Sequence, residues 1–206
     1  MPPSNDPFHR WHPGIGDPTI IGWLTVLAYF IAMWLCWRAL LTVLQARPGA
    51  LRDRNRLAFF WGFLVLLLLF LGFNKQLDLQ SLFTQVGRDL AIAQGWYDQR
   101  RQYQLVFIVG IAAISLTVSV AMAVWLRRHL RDLIVGLIGL VALFSFITIR
   151  AASFHHIDAW IGARMPGYRF DSLMELGGIA LIAYSAVLQR RRIARQRPRV
   201  RRGYGY

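Results

Sequence analysis

Residues 149–160, IRAASFHHIDAW, place an arginine, two adjacent histidines and an aspartate directly after a long apolar run. Side chains of these types move protons, ligate metal ions or neutralise one another. Helical spacing sorts them. Arg150, Phe154 and Asp158 recur every four residues and share a stripe, and His155 and Asp158, three apart, are surface neighbours. His155 and His156 are adjacent, so their side chains diverge by about 100° and do not readily serve one ligand. A second set, NKQLD, occupies 74–78, and its Lys75 is the only lysine in the chain. Asn74 and Asp78 there share a face. Spacing therefore suggests Asn74, Lys75 and Asp78 facing Arg150, His155 and Asp158.

Two chemistries suit this set. Charges near hydrocarbon are costly unless paired or hydrated, so an Arg150–Asp78 or Lys75–Asp158 pair would clasp two helix ends. Asp78 would otherwise cap a helix beginning near Leu79. The sharper expectation is a divalent-metal site, zinc for example, built on His155 and Asp158 and closed by His156, Asp78 or an N-terminal histidine (His9 or His12). No HExxH, paired CxxC or HxH pattern accompanies these residues. The chain also lacks a GxSxG elbow and a Walker loop, and no histidine falls mid-span to hold haem. Ser153, two residues from His155, does not face it on a helix. Ser115, Thr117 and Ser119 are expected to bond carbonyls of their own helix.

The elements that position these residues are apolar blocks. Of 206 residues, 56% are hydrophobic, and they come in runs rather than scattered. Runs of about 17–25 residues are the mark of membrane-spanning helices. The expected fold is all-α: an integral membrane bundle of five transmembrane helices over 19–189, with spans near 19–44, 57–73, 105–126, 133–150 and 173–188. An outward-facing arm (1–18) precedes it and an Arg-rich tail (190–206) follows. Asp17 and Pro18 fit a cap and a first helical residue for span one, and SLME suggests a capping box in which Ser172 caps span five and Glu175 reaches back. Leu79, Leu82, Phe83, Val86 and Leu90 fall at helical spacing, predicting an outer-face amphipathic helix between spans two and three that stops at Gly95. Gly136 with Gly139, and Gly177 with Gly178, suit close helix packing. Cys36, the single cysteine, fits a small packing residue, and the arm shows no removable signal peptide, so the first span is expected to act as an uncleaved signal.

Charge placement fixes the expected direction. The net charge of +14 sits mainly beside the apolar blocks: four arginines in 46–56, three in 127–132 and eight in 190–202. That distribution matches a topology signal and argues against a nucleic-acid partner. These segments are expected in the cytoplasm, with the N-terminus outside and the C-terminus inside. Arg190, Arg191, Arg192 and Arg195 are expected to contact anionic lipid at the cytoplasmic face.

The segments FNKQLDLQSLFTQVGRDLAIAQGWYDQRR (73–101) and ITIRAASFHHID (147–158) resemble a family of small multi-pass bacterial membrane proteins. The resemblance covers spans two to four and carries over no activity. It implies a bacterial inner membrane, with the outward side periplasmic. Three function classes follow. The first is a non-enzymatic accessory, assembly or scaffold protein, with a membrane-protein partner. The second is a membrane-embedded metal-dependent hydrolase acting at the polar cluster. The third is a small transporter or proton-coupled device, for which span charges and broken helices are the signature and are not evident here.

Overall fold

The computed structural model describes residues 19–46, 51, 53–77, 86–87, 90, 93–95, 100–153 and 167–196. Five long helices account for most of them: α1 (Ile20–Leu44), α2 (Arg54–Leu77), α3 (Arg100–Trp125), α4 (Leu130–Ser153) and α5 (Gly167–Gln196). One 3-10 turn, Arg127–His129, joins α3 to α4. Four helical stretches, in α1 to α4, are long and apolar enough to cross a membrane. The fifth expected span lies within helix α5, which is longer and more polar overall than the other four.

Four of the helices, α2 to α5, extend past the apolar blocks that announced them, whereas α1 matches its block. The expectation of α2 over 57–73 stops at its flanking charges, but Arg54, Arg56 and Lys75 are themselves helical. Long basic side chains are good helix formers and can extend away from the axis, so charge does not end a helix. The start of α1 also differs: the cap is Thr19, whose hydroxyl accepts from the Gly22 amide at 3.0 Å. A hydroxyl one residue before the helix supplies what Asp17 was expected to supply. The capping box in SLME is overturned, because Ser172 and Glu175 lie inside α5, which begins at Gly167. Helical amides at that position already have partners one turn back, leaving Glu175 no cap to close.

The helices alternate in direction. Tyr29 meets Glu175, while Thr42 lines a cleft with Arg190, so α1 and α5 run parallel. The main contacts join α2 to α1, α1 to α5, α5 to α4 and α4 to α3. The least apolar helix, α5, therefore lies between α1 and α4. Its buried polar residues Glu175, Ser185 and Gln189 point into protein, where neighbouring helices shield them. The apolar core includes Tyr29, Phe60, Trp61, Leu68, Leu140 and Ile182.

Glycines set the α4–α5 distance. A Cβ on Gly139 would stand 2.8 Å from the Gly178 carbonyl oxygen, and one on Gly178 would stand 3.0 Å from the Gly139 oxygen. A Cβ on Gly136 would meet Ser185 Oγ at 2.8 Å. Small residues at these positions let the backbones touch, as in close-packed membrane helices. Gly177 differs from the expectation: nothing lies within 4 Å of its added Cβ. It sits 100° around α5 from Gly178 and faces away from α4.

Between α2 and α3, Val86, Gly87, Leu90 and Ala93 are helical, Val86 and Leu90 are exposed, and Gly95 takes φ 72°. That left-handed value suits a terminating glycine. The rest of the expected amphipathic helix lies outside the described residues, as do the 1–18 arm, with its histidines and Asp17, and tail positions 197–206.

Gly139→Val should lower the stability of the purified protein by about 1–3 kcal/mol, the usual cost of overpacking. Gly177→Ala should leave it unchanged or slightly raised, since the position is helical and open. The thermal unfolding midpoint in detergent distinguishes the two.

Candidate functional site

Glu175 is the only glutamate in the chain, and its partner Lys75 is the only lysine. Lys75 Nζ lies 3.0 Å from Glu175 Oε2, with side-chain exposures of 12% and 3%. These low values place the pair inside the bundle, where solvent screens it little. Tyr29 Oη donates to the other carboxylate oxygen, Oε1, at 3.1 Å, and Tyr29 is itself buried. Three helices thus converge on one carboxylate: α2 supplies the cation, α1 the hydroxyl and α5 the acid.

The helices position these groups for local reasons. Gly72 lies one turn before Lys75, and a Cβ there would meet Tyr29 Cβ at 3.3 Å. The missing side chain lets α2 approach α1 just where Tyr29 must turn towards α5. Lys75 stands two residues from the end of α2, so its flexible four-carbon stem can carry the ammonium to Glu175. Glu175 lies one turn from Ile179, on the stripe that continues through Ile182, Ser185 and Ala186 into the core. One turn before Tyr29, Thr25 Oγ1 donates to Ile21 O at 2.9 Å, so its hydroxyl is satisfied within α1.

The structure brings together only part of the expected constellation. Lys75 is in the cluster, paired with Glu175, and Asn74 beside it is half-buried. Arg150 is an exposed residue on α4, close enough for its charge to act on Tyr29. Asp78, His155, His156 and Asp158 lie outside the described residues, as do His9 and His12. Among the described residues no group of three His, Cys, Asp or Glu side chains could hold a metal ion. Tyr29 and Glu175 are the residues that spacing missed. Their signal was available: a lone acid within two residues of the start of an apolar block, and a tyrosine in mid-span.

Of the three hydroxyls expected to bond their own helix, Ser119 does so. Ser119 Oγ bonds Ser115 O at 2.8 Å within α3. At the opposite end of the bundle, Arg56 Nη1 bonds Trp125 O at 3.2 Å, and its guanidinium lies 5.9 Å from the Trp125 ring centre. His129 Nε2 is 3.5 Å from Asp53 Oδ2. Arg192 bonds Asp132, while Arg191 and Arg195 are exposed and Arg190 is half-buried. All three Arg-rich segments contribute to this one end. Comparison with family models, with curated proteins and with solved structures finds no match. The chemistry must therefore be drawn from the residues themselves.

What the cluster can do follows from its saturation. Glu175 has an ammonium on one oxygen and a phenol on the other. A buried carboxylate so engaged is costly to strip of its partners but does little chemistry while it keeps them. Lys75→Met should destabilise the protein by about 3–5 kcal/mol, because it leaves an uncompensated buried charge. Adding Glu175→Leu to that variant should recover most of the loss. Tyr29→Phe should cost about 1 kcal/mol, in the range of hydrogen bonds between membrane helices. Unfolding midpoints of the four proteins in one detergent provide the check.

Proposed function

We propose that the chain is a five-span membrane protein acting as a non-enzymatic accessory, assembly or scaffold protein, with its helices held by the Lys75–Glu175–Tyr29 lock. The observation that carries this reading is mutual pairing: the buried acid and the part-buried base are spent on each other, with Tyr29 on the acid's second oxygen. A group reserved for catalysis or transport would need room to exchange partners.

Four apolar helices support the membrane reading, and α5 completes it as a fifth span. Its buried polar side chains Glu175, Ser185 and Gln189 face into the bundle, while Leu173 and Tyr184 are exposed to the surroundings. An acid within a span is tolerated when it faces the bundle interior and is paired. The three Arg-rich segments then mark the cytoplasmic end, leaving the lock near the outer face. A bacterial inner membrane suits this arrangement. Helix α3 supports an accessory role: only 6% of its apolar window is buried, so most of its surface remains for lipid and for a partner helix.

A second reading has its own support, since a tyrosine, glutamate and lysine in a hydrogen-bonded row inside a span also resemble part of a proton path. Reconstitution separates the two. Proteoliposomes carrying a trapped pH dye should show no proton flux above protein-free vesicles under an imposed potential. Protein extracted gently from its native membrane should carry a stoichiometric protein partner by native mass spectrometry. Proton flux abolished by Glu175→Gln, in protein that remains folded, would overturn the scaffold reading.

A further inference from the structure

At the Arg-rich end, α1 and α5 part to leave a cleft of about 500 Å³. Its lining residues are Thr42, Gln45, Val187, Arg190, Arg191 and Ala194. The chemistry is uneven in a useful way. Two guanidinium side chains and one amide supply donors, two small apolar residues supply walls, and none of the described lining residues is a carboxylate. Among the described residues neither Arg190 nor Arg191 has an ion-pair or hydrogen-bond partner.

The neighbouring contacts explain why these two arginines stay available. The acid nearest in kind, Asp132 on α4, is taken by Arg192. Three of the last four carbonyls of α1, which would attract a guanidinium, are already engaged. Leu41 O accepts from Gln45 N at 2.9 Å, Val43 O accepts from Ala46 N at 3.3 Å, and Leu44 O accepts from Arg54. The Thr42 hydroxyl gives its proton to Arg38 O at 2.7 Å, so towards the cleft it can only accept. The free donors are therefore the two guanidinium groups and the Gln45 amide. Planar guanidinium donors match the oxygens of a phosphate ester.

Depth decides which phosphate. Trp34 and Trp37 on α1 are about half exposed, and Arg38 stacks 5.2 Å from the Trp34 ring centre. Trp125 is exposed at the same end of α3. Such tryptophans mark the boundary between hydrocarbon and headgroups. Thr42 lies five residues beyond Trp37, about 8 Å along the helix axis. That places the cleft in the headgroup layer. We infer that the cleft between α1 and α5 binds the phosphate of an anionic lipid through Arg190, Arg191 and Gln45, with Val187 and Ala194 against the lipid backbone. The inference rests on α1 and α5 crossing the bilayer, though not on which leaflet the cleft faces.

The test is lipid titration of the full chain in detergent by native mass spectrometry, using phosphatidylglycerol, phosphatidylcholine and inorganic phosphate as separate probes. Phosphatidylglycerol should bind saturably and ahead of phosphatidylcholine. The variant Arg190→Gln/Arg191→Gln should bind it at least about tenfold more weakly, from the loss of two surface cations. Arg127→Gln/Arg128→Gln, which removes equal charge at the same end but outside the cleft, should bind as the unaltered chain does. Gln45→Ala, which keeps every charge, should weaken binding by about threefold, a fraction of one hydrogen bond. Equal losses in the two arginine variants would reduce the effect to net charge and overturn the site. Arginine-dependent uptake of inorganic phosphate with no preference for phosphatidylglycerol would also overturn it. Alkaline carbonate extraction tests the membrane reading separately, because only its failure releases the protein from the bilayer.

Discussion

The arrangement depends on one carboxylate that cannot reach water. Glu175 is 2% exposed in a bundle made almost entirely of apolar side chains. A lone charge there would cost several kcal/mol, so each neighbouring helix is constrained by the need to satisfy it. Helix α5 must lie between others rather than at the edge. Helix α2 must end close enough for a lysine to reach inward. Helix α1 must turn a tyrosine towards the same point, and the absence of a side chain at Gly72 keeps α2 close to it. Rotation of any of the three helices by one residue would strand the acid, which is how a single polar contact can specify a bundle.

The two ends of the bundle are held by different physics. Near Glu175 the contact is buried and pairwise, and little screened by salt. At the other end the contacts are many and more exposed: Arg56 on Trp125, His129 near Asp53 and Arg192 on Asp132. Each such contact contributes little alone. Between them α4 and α5 come into close backbone approach at Gly139 and Gly178, where dispersion acts at short range. One end is thus fixed by a specific charge pair, the middle by close packing, and the Arg-rich end by contacts that leave Arg190 and Arg191 free for an outside ligand.

Much of this was legible from periodicity and charge. Helix number, order and the gathering of the arginines at one end follow from apolar blocks separated by basic loops. Helix lengths were less legible, because hydropathy falls at the first charged residue while hydrogen bonding continues through Arg54 and Lys75. The α4–α5 contact was half legible, since sequence offers both glycine pairs equally and only packing separates Gly178 from Gly177. Glu175 was misassigned for a physical reason. Three residues after Ser172 it satisfies a local capping pattern, whereas its actual partner lies 100 residues away on α2. Local spacing carries no information about such a pair. The uniqueness of both residue types would have been the better guide, because a lone glutamate in an apolar block needs a cation somewhere. His155, His156, Asp158 and Asp78, prominent in the sequence, lie outside the described residues.

Glu175 holds Lys75 inside the bundle. Since Lys75 is the only lysine, it carries the only side-chain amine, and its reactivity reports directly on that contact. The decisive measurement is the acylation rate of Lys75 by a small amine-reactive reagent, followed by peptide mass spectrometry. Burial against Glu175 predicts strong protection in the folded protein, rapid labelling after unfolding in SDS, and faster labelling of folded Glu175→Gln. Labelling of the folded, unaltered protein as fast as that of the unfolded chain would contradict it.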